Sequence, residues 1–133
     1  MKNCNFAIHE QIIISNKTGN LNNMLKQLSK NNLQIALEVK EILSANFGEI
    51  IKEIICYGSK VYSEKQDSDF DLLVITSEKI TWQTESEMFS HVFSYGIGND
   101  IQFDVKYFSY HEVYSKYDQM PFIKNVLSYG VHV

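Results

Sequence analysis

The stretch from Asp67 to Thr76 constrains this chain more than any other, because its two halves demand different surroundings. Leu72-Leu73-Val74-Ile75 is a continuous apolar run, the pattern of an internal strand. Asp69-Phe70-Asp71 alternates, and an extended chain turns the Asp69 and Asp71 carboxylates to one face, about 6 to 7 Å apart at the backbone. Two like charges at adjacent same-face positions repel, so this strand is costly unless something compensates them.

The rest of the chain supplies elements around that strand. Leu33, Ala36, Val39, Leu43 and Phe47 recur at helical spacing before Gly48, which suits a C-terminal cap. Ile50 to Tyr57 reads as a strand ending at Gly58-Ser59, and Lys60-Val61-Tyr62 as the start of a short helix. Thr81 to Tyr95 reads as a helix ended by Gly96-Ile97-Gly98-Asn99. Ile101, Phe103, Val105 and Tyr107 alternate with polar neighbours that include Asp104, the signature of a strand with one polar face. Ser109 to Tyr117 and Pro121 to Tyr129 read as two short helices, with Pro121 in a first turn and Gly130 at an end. A helical pattern also begins at Asn20 with Leu21, Met24, Leu25 and Leu28, faltering over Ser29 to Asn32; residues 1 to 19 fit no single element, although Thr18-Gly19-Asn20 reads as a turn. No repeat or linker divides the 133 residues, so one α+β domain is expected, a small mixed sheet with helices on one face and the acidic site open on the other.

Composition narrows the function classes. No apolar run exceeds four residues, so no membrane span is expected, and the N-terminus lacks the apolar block of a secretory signal. Two cysteines do not make a disulfide framework, and a cytoplasmic protein is expected. Twelve basic groups against sixteen acidic give a net charge of −4, which argues against stable nucleic-acid binding through a basic face. All twelve basic residues are lysine, so a bound phosphate must be met by backbone N–H groups, lysine charges or a metal.

The candidate chemistry lies in three carboxylates, Asp69, Asp71 and Asp104, downstream of the glycine turn at Gly58-Ser59. Glycine allows a phosphate to approach the backbone closely. Magnesium answers the carboxylate repulsion, since it takes one or two protein carboxylates and fills its remaining positions with phosphate oxygens and water. The bland alternative is a set of solvated charges at strand ends. Gly58-Ser59-Lys60 lacks the spacing of a P-loop, and Gly96-x-Gly98 precedes a strand where a dinucleotide fingerprint would follow one. His9, His91, His111 and His132 are too dispersed for a local zinc motif, and Cys56 reads as a small apolar core residue. Tyr110, Tyr114 and Tyr117 share a helical face, either packed in the core or forming a partner surface.

Tyr57-Gly58-Ser59 followed by Asp69-Phe70-Asp71-Leu72-Leu73-Val74 resembles the signature of the DNA polymerase beta-like nucleotidyltransferases, and most of all their minimal nucleotidyltransferase domains. The resemblance covers about residues 33 to 131. It implies a nucleotidyltransferase fold and transfer of a nucleoside monophosphate, AMP from ATP, to a hydroxyl. On it Gly58, Ser59 and Lys60 would hold the triphosphate, while Asp69, Asp71 and Asp104 would ligate magnesium, with Asp104 also activating the acceptor. It further implies a HEPN-domain partner in a toxin–antitoxin module, in a homo- or hetero-oligomer. The chain departs from the pattern in two ways: the nine residues from Lys60 to Ser68 are one fewer than usual, and the arginines that often follow Gly-Ser are absent. A degenerate module that binds nucleotide or partner without chemistry, and a transferase acting on an aminoglycoside-like small molecule, are the alternatives.

Overall fold

A computed structural model describes residues 28–62 and 68–133, so the readings made for residues 1 to 27 lie outside the described residues. Helix α1, Lys30–Phe47, begins where the polar residues Ser29 to Asn32 interrupt the apolar pattern: Ser29 is the N-cap, its hydroxyl accepting the Asn32 backbone N–H at 3.1 Å. Its buried stripe is Asn32, Ala36, Val39 and Leu43, and Gly48 follows with φ +64°. Strand β1, Ile51–Tyr57, leads through a four-residue 3-10 turn, Gly58–Val61, toward β2, Phe70–Thr76. Helix α2 spans Trp82–Asn99, β3 spans Phe103–Ser109, a π-type turn covers Glu112–Lys116, helix α3 is Pro121–Tyr129, and β4 is Val131–His132.

These elements build a four-stranded mixed sheet in the order β3-β2-β1-β4. β1 pairs antiparallel with β2 and β4, whereas β2 and β3 run parallel, joined by α2. A parallel pair needs a crossover connection, which α2 provides. Hence the chain is α+β with a small mixed sheet, as its sequence pattern requires.

Helices cover both faces of the sheet, which corrects the expectation of one covered face. Phe70, Leu72 and Val74 pack with Ile54 and Cys56 against α1 and α2, through residues such as Val39, Leu43, Met88 and Val92. Leu73, Ile75 and Ile55 pack on the opposite side against Val113, Ile123 and Val126 of the π-type turn and α3. The physical reason lies in the run Leu72 to Ile75: alternate residues point to opposite faces, so an uninterrupted apolar run needs cover on both.

Helix α2 runs through the Gly96-Ile97-Gly98-Asn99 segment where an end was expected, and stops at Asp100, which adopts the left-handed conformation (φ 56°, ψ 45°). Gly96 serves a different purpose from a helix stop. A Cβ placed there would lie 2.5 Å from the Ile101 carbonyl oxygen and 3.1 Å from the Phe103 ring, so glycine permits α2 to lie close against the start of β3. No helix among the described residues is long and apolar enough to cross a membrane.

Candidate active site

Parallel pairing of β2 with β3 sets Asp71 directly against Asp104. The same register pairs Leu73 with Lys106 and Ile75 with Phe108, so Asp71, Asp104 and Lys106 share the face that α3 covers further along. α3 and its Phe122 lie over the central part of that face, leaving the carboxylates at the end where β2 and β3 begin. Asp69, exposed and just ahead of β2, takes the same face by alternation. On the antiparallel side, Tyr57 at the end of β1 is the register partner of Asp71.

The Gly58 turn closes the site from the β1 side. Gly58 has φ +76°, and a Cβ there would come within 2.2 Å of Asp71 Oδ2. Only a residue without a side chain lets the turn approach the Asp71 carboxylate this closely. The turn is braced from behind: the buried Asn32 side-chain amide donates to the Lys60 carbonyl at 3.0 Å, and the Tyr62 N–H donates to the Ser59 carbonyl at 3.0 Å. The expected short helix at Lys60 to Tyr62 is instead the 3-10 turn Gly58–Val61, and Lys60, expected to help hold a triphosphate, is buried at 7% exposure.

Burial first, then the Asp104 and Asp69 charges, raise the Asp71 carboxyl above its ordinary range, with Lys106 opposing them. The Tyr57 phenol is pushed up by burial and by Asp71 and Asp104, so it stays protonated at neutral pH. Lys106 Nζ lies 3.2 Å from each carboxylate oxygen of Asp104 and 5.9 Å from the centre of the Phe122 ring. This counter-charge was legible in the strand period, which puts Asp104 and Lys106 on one face, yet the sequence reading did not single it out. Asn32 is the second residue missed: nothing in its local sequence marks it as the brace of a turn 28 positions away.

Burial and the negative charge of Asp71 push the Cys56 thiol up to about 12, so Cys56 packs as a small apolar group and is no nucleophile. The Tyr110 and Tyr114 rings meet at 4.5 Å in a tilted pair and are exposed, which corrects a core-packing role for them, whereas Tyr117 packs edge-on against Phe108.

Among the described residues no group of three or more His, Cys, Asp and Glu side chains stands ready to hold a metal ion. The residues present nevertheless fit a hard divalent cation held with help from a ligand. Asp71 and Asp104 are adjacent oxygen donors whose mutual repulsion Lys106 offsets only in part, and magnesium needs only one or two protein carboxylates when phosphate and water complete its shell. Comparison with protein-family models, curated proteins and solved structures finds no match to this chain.

Proposed function

We propose that this chain is a magnesium-dependent nucleotidyltransferase of the minimal type, moving AMP from ATP to a hydroxyl acceptor. The observation that carries the reading is the in-register pairing of Asp71 with Asp104 beside the Gly58 turn. Asp69, Asp71 and Asp104 would hold magnesium, which when bound neutralises phosphate charge and acidifies a hydroxyl. The chain's own contributions follow from its geometry. Backbone N–H groups at Gly58 and Ser59 orient the polyphosphate next to the carboxylates, with Lys60 in the same turn. Asp104, on the outer of the two carboxylate strands, accepts the proton of an incoming hydroxyl. Most of the rate gain would come from positioning and charge neutralisation.

The acceptor is a hydroxyl carried by a partner, and a HEPN-domain protein of a toxin–antitoxin pair is the proposed one, on the strength of the motif resemblance. Incubating the chain with ATP, magnesium and a co-purified HEPN protein should yield the AMP adduct by mass spectrometry and release pyrophosphate, with both lost in Asp71→Ala. A stable pair that gains no adduct would eliminate that acceptor, and equal pyrophosphate release by wild type and Asp71→Ala would eliminate the catalytic reading.

One observation favours a second reading, nucleotide or partner binding without chemistry: Lys106 already engages both oxygens of Asp104. Calorimetric titration with ATP separates the two. A binding module takes up ATP without any turnover, while the transferase couples uptake to magnesium.

A further inference from the structure

The glycine turn beside the carboxylates is divided between solvent and core. Gly58 and Ser59 are exposed, whereas Lys60 and Val61 are buried, Val61 packing in the same apolar cluster as Ala36 and Val39 of α1. The exposed half is the part a polyphosphate can reach, and the buried half decides how that part is held. A 3-10 turn of four residues is too short to fix its own geometry, so groups outside it must do so.

Asn32 is such a group. It is the one polar residue in the buried stripe of α1, 3% exposed, with Ala36, Val39 and Leu43 as the other members. An amide buried in apolar surroundings costs free energy unless its polar atoms are bonded. Its Nδ2 donates to the Lys60 carbonyl at 3.0 Å, from 28 positions away in the chain. The other end of this brace is equally well held, because the Asn32 backbone N–H donates to the Ser29 hydroxyl at the N-cap of a helix that packs on β1 and α2. A fixed Lys60 carbonyl fixes the plane of the peptide it belongs to, and so limits how far Gly58 and Ser59 can swing from the Asp71 carboxylate against which Gly58 is pressed.

We propose that Asn32 is a positioning residue for polyphosphate, acting from the core through the Lys60 carbonyl on the exposed Gly58-Ser59 half of the turn. The inference rests on the nucleotidyltransferase reading and adds to it the residue that preorganises the phosphate cradle. Asp71 and Asp104 need no such support, since the backbone pairing of β2 with β3 sets them side by side. Asn32 therefore acts on phosphate and not on a cation bound without it, a division that a purely structural role would not produce.

The test compares the full-length chain with Asn32→Leu, a side chain of similar size that cannot donate. Calorimetry measures tripolyphosphate in the presence of magnesium, electron paramagnetic resonance measures Mn²⁺ alone, and pyrophosphate release from ATP is followed in parallel. In a variant whose circular dichroism shows a retained fold, tripolyphosphate should bind about tenfold more weakly while Mn²⁺ affinity stays within about twofold of wild type. Undiminished tripolyphosphate binding by that variant would overturn the proposal, and pyrophosphate release by wild type would then leave the nucleotidyltransferase reading standing. Equal loss of both ligands would also overturn it, making Asn32 a general support of the fold. A wild type that neither binds tripolyphosphate nor releases pyrophosphate would remove the underlying reading and this proposal together. If Asn32→Leu does not fold, the wild type decides. Coupling is reciprocal, so tripolyphosphate must slow hydrogen exchange at the Asn32 side-chain amide along with the Gly58 and Ser59 backbone. Slowing at Gly58 and Ser59 with none at Asn32 would overturn the proposal.

Discussion

Asp71 and Asp104 are register partners across the one parallel strand pair among the described residues, like charges side by side with a glycine turn pressed against the first of them. A sheet selected for stability alone would not place them so, because adjacent like charges on neighbouring strands destabilise the pair.

The repulsion has a pH signature. Asp71 is held above its ordinary carboxyl range, so between its unfolded and folded pKa values the folded chain binds more protons than the unfolded one. Stability from this group is therefore fully present below the unfolded value and is lost as pH rises through the folded one. Asp71→Asn should be more stable than wild type at pH 7, by roughly 0.5 kcal/mol, with the advantage fading toward pH 4. Urea unfolding at the two pH values measures it, and an advantage that grows on acidification would contradict the assigned cause.

Gly58→Ala tests the close approach of the turn. The new methyl would collide with Asp71 Oδ2, and φ +76° is unfavourable for alanine, so both terms act in one direction. A loss of about 1–3 kcal/mol in unfolding free energy is expected. The change should also disturb the NMR signals of Asp71 and its strand partner Asp104. A loss confined to the turn would mean that the turn does not fix the carboxylate.

Cys56 should be inert in the folded protein. With its thiol pushed up to about 12 and the side chain fully buried, the thiolate is scarce at pH 8. Peptide mapping after iodoacetamide treatment should show Cys56 unmodified in native protein and alkylated in denaturant. Modification of Cys56 under native conditions would show that β1 opens readily.

How much of this was legible in the sequence differs from residue to residue, for physical reasons. The face shared by Asp69 and Asp71 follows from the two-residue period of an extended chain, and so does the face of Asp104. Their meeting does not follow, since strand period fixes face but not register, and register here depends on a parallel pairing across the α2 crossover. The second covered face was written in Leu72 to Ile75, but its cover comes from elements too short to show a long apolar stripe. Gly96 was misleading because glycine marks both helix ends and close approaches, and only the neighbouring Phe103 ring and Ile101 carbonyl decide between them. The proposed magnesium chemistry is read from Gly58-Ser59 followed by Asp69-Phe70-Asp71, a motif that strand period alone does not supply.

Lys106 offers the sharpest division between the two functional readings. Its ammonium contacts both oxygens of Asp104, and both side chains are close to half exposed, so the ion pair itself is worth little, on the order of 0.5 kcal/mol. Lys106→Met should therefore leave the melting temperature nearly unchanged. Its effect on ligands should be larger and opposite in sign for the two charges. Removing a cation that competes for Asp104 deepens the negative potential at the carboxylates, so Mn²⁺, used as a spectroscopic stand-in for magnesium, should bind several-fold more tightly. The same loss of positive charge should weaken binding of ATP in the absence of metal. If Lys106→Met leaves Mn²⁺ affinity unchanged while ATP affinity falls, the lysine belongs to a phosphate-binding surface and Asp104 takes no part in holding a cation. Parallel loss of both would mean that Lys106 positions β3 and that its charge is incidental.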